Sequence, residues 1–374
     1  MTTPIKVMII DDSALVRKVM SDIVNSDPQM EVVAHAQDPI FAQRKLETIQ
    51  PDVIILDIEM PRMDGITFLQ QLMPINPIPV VICSSFTEGQ AQLTMQALKN
   101  GAVDVINKPK IGLKDFLTEA SIQVREAIKA AAFAKVKKPA GGAIAKPAIP
   151  PKATSEQKTA ASTNSVSPKY TADAVISNTT RLPQIDTDKI IAIGASTGGT
   201  QALRDVLADM PHNSPATLIV QHMPEQFTAA FAQNLNEISS MTVSEACGGE
   251  ILKPGQAWVA PGNKHMLIKR IGKEYEIELV EGQLVNRHRP AVDVLFRSVS
   301  RCAGKNAIGC LLTGMGDDGA RGLKEMRDAG ARTFSQDEET SVVYGMPKEA
   351  WLMGASEKQV SLQNVATILI ESSK

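Results

Sequence analysis

Ser196 stands at the tip of a glycine-rich turn that follows the apolar run Ile190–Ile193. The five residues from Gly194 to Gly198 fit the G-x-S-x-G pattern, in which small neighbours let a strained turn expose a hydroxyl. The segment 200–209 has a helical pattern, and the first N–H groups of a helix are free to bind an anion. Two interpretations are open at this point: a nucleophilic serine, or a turn that binds a phosphate or a dinucleotide.

A nucleophilic serine needs a general base, and His222 is the best placed of the five histidines. It follows the apolar run from Leu218, which predicts a strand, so His222 should lie at the same sheet edge as Ser196. The other candidates are His35 in the N-terminal half, His212 in a predicted loop, and His265 and His288, whose positions the sequence pattern constrains less.

A histidine base needs a carboxylate that fixes its tautomer and stabilises the imidazolium. The segment 309–319 is a second apolar run that ends in a glycine-rich turn, and it brings Asp317 and Asp318 to the same edge. One of the two is expected to cap a helix. The chain order Ser, His, Asp differs from that of α/β-hydrolases, so we do not predict that fold.

The N-terminal half carries a different set of polar residues, also at predicted strand ends. Three carboxylates, those of Asp11, Asp12 and Asp57, form a hard oxygen site suited to Mg²⁺. The hydroxyl of Ser84 and the ammonium of Lys108 close later strands, where both can contact a phosphoryl group.

Length and composition limit the kinds of protein that can carry these sites. A chain of 374 residues suggests two domains, and 43% hydrophobic with 21% charged residues is typical of a globular protein. A net charge of −2 gives no sign of the strongly basic surface that binds nucleic acid or an anionic membrane. Four scattered cysteines indicate reduced thiols, and no secretory or membrane-inserted segment is evident, so we expect a cytoplasmic protein.

The hydrophobic pattern divides the chain into three parts. Residues 1–130 alternate five short apolar runs with helical segments, which predicts a five-stranded parallel doubly wound sheet. Residues 131–186 are rich in Pro, Ala, Ser and Lys and predict a flexible linker. Residues 187–374 predict a second α/β domain with a mostly parallel sheet and an antiparallel hairpin near 266–284.

The N-terminal motifs resemble the receiver domain of two-component response regulators. The similarity rests on Asp11-Asp12-Ser, on Leu56 to Gly65, on the Ser84 strand end and on Lys108-Pro109. It implies that Asp57 is the phospho-acceptor and that Asp11, Asp12 and Asp57 bind Mg²⁺. It further implies that Ser84, with Ser85 as the competing choice, is the switch hydroxyl and that Lys108 contacts the phosphoryl group. The implied phosphodonor is a chemotaxis histidine kinase.

The C-terminal half resembles the chemotaxis protein-glutamate methylesterase family. The matching motifs are 193–199, 221–224, 259–262, 289–296, 312–319, 336–339 and 343–347. The resemblance implies a triad of Ser196, His222 and Asp318, with oxyanion donors at the backbone of Thr197 and Met315. The implied substrates are glutamyl methyl esters, and for many relatives glutamines, on chemoreceptors. No cofactor is implied for the esterase step.

The sequence lacks the features of two other classes of protein. A DNA-binding response regulator would need a basic helix-turn-helix after the linker, which the sequence lacks. A nucleotide-binding domain would need a Gly-Lys-Ser/Thr ending after the turn at Gly194, which is absent. In the resembled family the unphosphorylated receiver covers the catalytic site, so we predict that phosphorylation of Asp57 shifts a closed-to-open equilibrium.

Overall fold

The protein is described from a computed structural model that covers residues 3–85, 88–108, 114–136, 169–177, 182–183 and 185–374. Within these ranges, no helix has both the length and the apolar character that a membrane span requires. The chain forms two parallel sheets with helices on their faces, as the sequence predicts.

The N-terminal sheet has five strands in the order β2-β1-β3-β4-β5, and every pairing is parallel. Its strands are buried on both faces, which is why they appear in the sequence as short continuous apolar runs. The strands are β1 (Ile5–Ile10), β2 (Met30–Ala36), β3 (Val53–Leu56), β4 (Val80–Ser84) and β5 (Asp104–Asn107). The helices are α1 (Ala14–Asn25), α2 (Pro39–Leu46), α3 (Gly65–Ile75), α4 (Glu88–Lys99) and α5 (Lys114–Ala132).

The C-terminal sheet has seven parallel strands in the order β14-β13-β12-β6-β7-β9-β8. They are β6 (Ile190–Ala195), β7 (Ala216–Gln221), β8 (Thr242–Glu245), β9 (Gln256–Val259), β12 (Ala307–Leu311), β13 (Arg332–Gln336) and β14 (Lys358–Val360). The predicted hairpin is present as a separate antiparallel pair, β10 (His265–Ile271) and β11 (Glu274–Val280).

Six helices and two short 3₁₀ turns complete this unit. They are α6 (Gly199–Ala208), α7 (Glu225–Asn236), α8 (Val292–Cys302), α9 (Ala320–Asp328), α10 (Met346–Leu352) and α11 (Leu362–Ser373), with turns at Ala172–Ala174 and Gly304–Asn306. Helix α8 packs between the hairpin and the sheet and is buried over most of its length.

The order of the strands places a crevice beside β6. The chain runs from β6 to β7 on one side of β6 and later returns to β12 on its other side, so the direction in which strands are added to the sheet reverses there. Ligands of open α/β sheets bind outside the carboxyl ends of the strands at such a point. The segments that follow β6, β7 and β12 are those that carry Ser196, His222 and Asp318.

The two units pack against each other through a shared apolar cluster that includes residues of both sheets, Ile54 and Ile219 among them. Around it lie direct hydrogen bonds, such as that from Asn107 Nδ2 to Gln226 Oε1 at 2.8 Å. Helix α4 of the N-terminal unit lies along α7 of the C-terminal unit.

The predicted linker, 131–186, is described only at its two ends, and both ends make contacts. The backbone N–H of Lys135 donates to Val342 O at 2.8 Å. Near the other end, Asp173 accepts from the buried Arg297 at 2.7 Å, and Pro183 O accepts from Arg270. The remaining linker residues lie outside the described ranges, and the proposed domain bounds stay a prediction.

Candidate active site

Ser196 follows β6 directly and is held there by backbone bonds from the neighbouring strands. Its N–H donates to Thr313 O at 3.0 Å, and the N–H of His222 donates to Ala195 O at 3.1 Å. The turn itself depends on small residues. A Cβ at Gly314 would lie 2.7 Å from Ser196 Cβ and 2.3 Å from Met346 Sδ. The turn therefore fixes a largely buried serine at the mouth of the crevice.

His222 bonds to Asp318 through one ring nitrogen and leaves the other free. His222 Nε2 lies 2.8 Å from Asp318 Oδ2, and both side chains are buried. His222 Nδ1 is buried and has no hydrogen-bond partner within the described chain. Because an ionised carboxylate only accepts, Nε2 carries the proton and Nδ1 keeps its lone pair. The ring is therefore set up to accept a proton at Nδ1.

In space, Asp318 lies beside the N-terminus of α8, and backbone N–H groups of that helix donate to its carboxylate. Val292 N and Asp293 N donate to it at 2.7 and 3.1 Å. Burial alone would raise the pKa of Asp318, but the hydrogen bond and charge of His222 hold that pKa well below its ordinary value. Asp318 therefore carries a negative charge when it contacts His222.

The adjacent carboxylate, Asp317, faces the surface. Lys169 Nζ lies 2.5 Å from Asp317 Oδ1, and both side chains are more than one-third exposed. Of the two acidic residues in this turn, Asp318 is the one that contacts the histidine.

Two other histidines lie near His222. The ring of His288 stacks on that of His222, with centroids 3.6 Å apart and planes 8° from parallel. Burial, together with the neighbouring His222, lowers the pKa of His288 to about 3, so its ring is neutral. Both nitrogens of His265 are occupied, one by Gln283 O at 2.9 Å and one by the N–H of Ala291 at 3.3 Å. Neither rival base contacts Asp318 as His222 does.

Asn286 and Asp293 complete the acidic end of the site, and sequence reasoning missed both. Asn286 Nδ2 donates to Asp293 Oδ2 at 2.7 Å and to Asp318 Oδ1 at 2.8 Å. Asp293 Oδ1 in turn accepts from the N–H groups of Gly319 and Gly322 at 3.0 and 2.7 Å. Burial, with the nearby charge of Asp318, raises the pKa of Asp293 to about 7. The amide thus bridges two carboxylates that would otherwise repel each other.

The predicted oxyanion donors lie in the same cleft as Ser196 and His222. Thr197 and Met315 line it, and within the described residues neither backbone N–H donates a hydrogen bond. The cleft holds about 90 Å³, well below the roughly 300–1,000 Å³ of common ligand sites. Its small size follows from what covers it.

Residues of the N-terminal unit close the cleft. Thr197 Oγ1 donates to Asp104 Oδ2 at 2.6 Å, and the N–H of Gly198 donates to Val103 O at 3.2 Å. Burial raises the pKa of Asp104 to about 6, although the hydrogen bond from Thr197 offsets part of this effect. We call this the closed arrangement, in which residues of β5 and α5 line the Ser196 cleft.

The N-terminal acidic residues form a second cluster at the carboxyl edge of their own sheet. Ligand oxygens of Asp11, Asp12 and Asp57 lie within 4.8 Å of one another. Lys108 Nζ contacts Asp57 Oδ2 at 2.6 Å and Asp11 Oδ2 at 3.0 Å, and that Asp11 oxygen has no well-aligned hydrogen bond within the described chain. An all-carboxylate set with an exposed member, Asp12, fits a hard divalent cation such as Mg²⁺.

Ser84 lies beside this cluster. Its carbonyl accepts from the N–H of Lys108 at 2.9 Å, and its buried hydroxyl donates to Ser85 O at 3.2 Å. The exposed Ser85 bonds instead to Gln90 Oε1 at 3.0 Å. The other half of the Lys-Pro motif, Pro109, lies outside the described residues.

Two family models match the chain, one for each unit. A model described as CheB methylesterase matches residues 191–369. A model described as the response regulator receiver domain matches residues 7–121.

Curated relatives align over almost the full length. Protein-glutamate methylesterase/protein-glutamine glutaminase 2 of Oleidesulfovibrio alaskensis is 48% identical over 373 residues, covering 100% of this chain and 99% of the relative. The type 3 protein of the same name from Shewanella oneidensis is 50% identical over 370 residues, 99% of each chain. The crystal structure of the Thermotoga maritima CheB methylesterase catalytic domain aligns with a TM-score of 0.49 and 36% identity, over 50% of this chain and 99% of that one.

Proposed function

This chain belongs to the family of receiver-containing protein-glutamate methylesterases/protein-glutamine glutaminases, and we propose that Ser196, His222 and Asp318 are its catalytic triad. The observation that carries the proposal is the buried His222–Asp318 pair, at 2.8 Å, whose histidine lines the same cleft as Ser196. The substrates are γ-glutamyl methyl esters, and glutamine side chains, of chemoreceptors.

The first half-reaction transfers the glutamyl acyl group to Ser196. Ser196 Oγ attacks the ester carbonyl carbon while His222 Nδ1 takes the hydroxyl proton. The carbonyl oxygen becomes an oxyanion, and the N–H groups of Thr197 and Met315 stabilise it. When the C–O bond to the methoxy group breaks, the Nδ1 proton passes to the leaving oxygen and methanol departs. A glutamine substrate releases ammonia by the same step.

The second half-reaction restores the enzyme. His222 Nδ1 takes a proton from water as the water oxygen attacks the acyl-enzyme carbonyl. The bond to Ser196 Oγ then breaks, the proton returns to that oxygen, and glutamate is the product. Throughout, the charge of Asp318 stabilises the imidazolium through Nε2–H.

The contacts around the triad support the orientation of the histidine. His288 packs flat on one face of the His222 ring, which limits its rotation and excludes water from that face. Asn286 Nδ2 donates to Asp318 Oδ1, the oxygen that also accepts from Asp293 N of α8.

For the receiver unit we propose that Asp57 accepts a phosphoryl group from a histidine kinase. Asp11, Asp12 and Asp57 would hold Mg²⁺, which neutralises charge on the phosphoryl oxygens when it is bound. Lys108, already in contact with Asp57, pairs with a phosphoryl oxygen, and the Ser84 hydroxyl turns from Ser85 O to bond another. That turn changes the surface of the receiver next to β5, which contacts the cleft.

A serine-reactive phosphonate tests the assignment of the nucleophile. The full-length protein, activated with a small-molecule phosphodonor, should be labelled once, and peptide mapping should place the adduct on Ser196. Labelling should disappear in Ser196→Ala and persist in a control, Ser373→Ala, whose hydroxyl bonds only to Ile370 O near the C-terminus. Labelling of Ser196→Ala at the wild-type rate would overturn the proposal.

A further inference from the structure

One face of helix α5 of the receiver lies across the catalytic cleft. The side chains that line the cleft are spaced i, i+3, i+4 and i+7, which places them on one helix face: Gln123, Glu126, Ala127 and Ala130. The opposite face, with Val124 and Ile128, packs into the receiver core. The cleft therefore holds a helix that presents small residues together with a glutamine and a glutamate.

Glu126 forms an ion pair across the interface with Arg287. Arg287 Nη1 lies 2.8 Å from Glu126 Oε1, and each side chain is about one-third exposed, at 32% and 31%. Within the described residues this is the only ion pair of Arg287. The catalytic unit thus carries a cation whose anionic partner, Glu126, comes from the other unit and lines the cleft.

The position of Arg287 is fixed by the turn that builds the active site. Asn286 and Arg287 both have positive φ, 51° and 73°, a conformation that non-glycine residues rarely adopt. The neighbours on either side are anchored in the triad, Asn286 to Asp318 and His288 against His222. Strain of this kind persists where surrounding contacts determine it, and it occurs preferentially at functional sites. The turn therefore places Arg287 between two residues that contact His222 or Asp318.

We propose that Arg287 binds an acidic side chain of a helical substrate segment, and that α5 occupies the place of that substrate helix in the closed arrangement. This inference rests on the proposed function. Glutamine is the side chain that a glutaminase consumes, and glutamate is what both reactions produce, so a substrate segment with several such sites carries anions beside the one that reacts. Glu126 then supplies intramolecularly the carboxylate that a substrate helix supplies when the receiver moves away.

If Arg287 only held the receiver in place, its loss would not change the KM for the receptor. Two variants, Glu126→Gln and Arg287→Gln, break the same ion pair. Two substrates separate the roles: p-nitrophenyl acetate, which is small and uncharged, and a carboxyl-methylated chemoreceptor. Without phosphodonor, both variants should hydrolyse p-nitrophenyl acetate faster than the wild type, and to a similar extent.

The receptor substrate should distinguish the two variants. In the full-length protein with phosphodonor, Arg287→Gln should raise the KM for the receptor about tenfold and leave kcat within about threefold. Glu126→Gln should leave that KM at the wild-type value, and Arg287→Lys should recover part of the loss. A matched control, Arg332→Gln, removes an exposed arginine paired with Glu357 and should change neither substrate.

The charge-reversed double variant Glu126→Arg/Arg287→Glu restores an ion pair of the opposite sense. It should return the hydrolysis of p-nitrophenyl acetate towards the wild-type basal rate, while the KM for the receptor stays high.

An unchanged receptor KM in Arg287→Gln would show that the residue only clamps the receiver, and an equal loss on both substrates would show a structural role; either result overturns the inference. Ser196→Ala in the same assays separates this from the proposed function. If Ser196→Ala is inactive on both substrates, the triad stands whatever Arg287 does.

Discussion

The two nitrogens of His222 have different partners, and this difference defines the chemistry of the site. Nε2 bonds to Asp318 at 2.8 Å, and Nδ1 has no partner in the described chain. Asp318 is itself held by backbone donors of α8 and by Asn286. A carboxylate fixed in this way keeps the histidine in one tautomer, which leaves its other nitrogen free for the base role that we propose.

Changing the two neighbouring aspartates should have unequal effects. Asp318→Asn replaces a carboxylate that accepts two backbone N–H groups by an amide, and it removes the partner of the imidazolium. We expect kcat for methanol release to fall by about 10³- to 10⁴-fold. Asp317→Asn loses only an exposed pair with Lys169 and should change kcat by less than about threefold. If Asp317→Asn gave the larger loss, the carboxylate of the triad would be misassigned.

At the level of elements, turns at the ends of β6 and β12 position the reacting groups. The two strands are neighbours in register, with Gly194 opposite Leu311, so the turns that follow them meet. Gly314 allows that meeting, because any side chain there would overlap the Cβ of Ser196.

A methyl group at Gly314 should therefore damage the site. In Gly314→Ala the added Cβ overlaps Met346 Sδ at 2.3 Å and Ser196 Cβ at 2.7 Å, so the serine turn must shift. Overpacking of this kind costs about 1–3 kcal/mol of stability, and a serine displaced by about 1 Å loses about 10²-fold in rate. Gly89→Ala, in helix α4 with nothing within 4 Å of the new methyl, is the matched control. Thermal unfolding and methanol release measure the two effects. Wild-type kcat in Gly314→Ala would show that the turn does not need a glycine.

The same elements explain what the sequence could predict. Short apolar runs mark the buried parallel strands, and the polar residues directly after them point to the sheet edge. This pattern predicts Ser196 and His222 at that edge but does not choose between Asp317 and Asp318. The edge strands β8 and β14 show no such run, because they are only four and three residues long and partly exposed. The sequence pattern does not identify Asn286 and Asp293 either, because their contacts with Asp318 join residues 25 or more positions apart.

The whole molecule is a receiver packed over a hydrolase cleft. The carboxylate of Asp104 lies where the two units meet and accepts a hydrogen bond from Thr197, the neighbour of Ser196. Where the receiver is displaced, that carboxyl returns to water and to an ordinary pKa. Proton binding by Asp104 is therefore linked to the equilibrium between the closed and open arrangements.

The sign of this linkage gives a pH dependence. Burial raises the pKa of Asp104 from 3.8 to about 6 in the closed arrangement, so the closed form binds this proton more tightly than the open form does. The group thus favours closure at low pH and loses that contribution as pH rises through about 6. The contribution is at most about 3 kcal/mol.

Asp104→Asn tests this linkage, because it removes the buried charge and keeps an acceptor for Thr197. Without phosphodonor at pH 8, it should hydrolyse p-nitrophenyl acetate more slowly than the wild type, and the difference should shrink towards pH 5. The ratio of the variant rate to the wild-type rate at each pH removes the effect that protonation of the triad has on both rates. A ratio that does not change with pH would exclude Asp104 from the equilibrium.

The most direct test of the account is methanol release from a carboxyl-methylated chemoreceptor by the full-length protein, with and without a phosphodonor. We predict that the phosphodonor raises the wild-type rate about 5- to 150-fold. Asp57→Ala should stay at the basal rate under both conditions, and Ser196→Ala should release no methanol above background. Methanol release by Ser196→Ala at a wild-type rate would contradict the central claim that this serine, covered by the receiver, is the nucleophile.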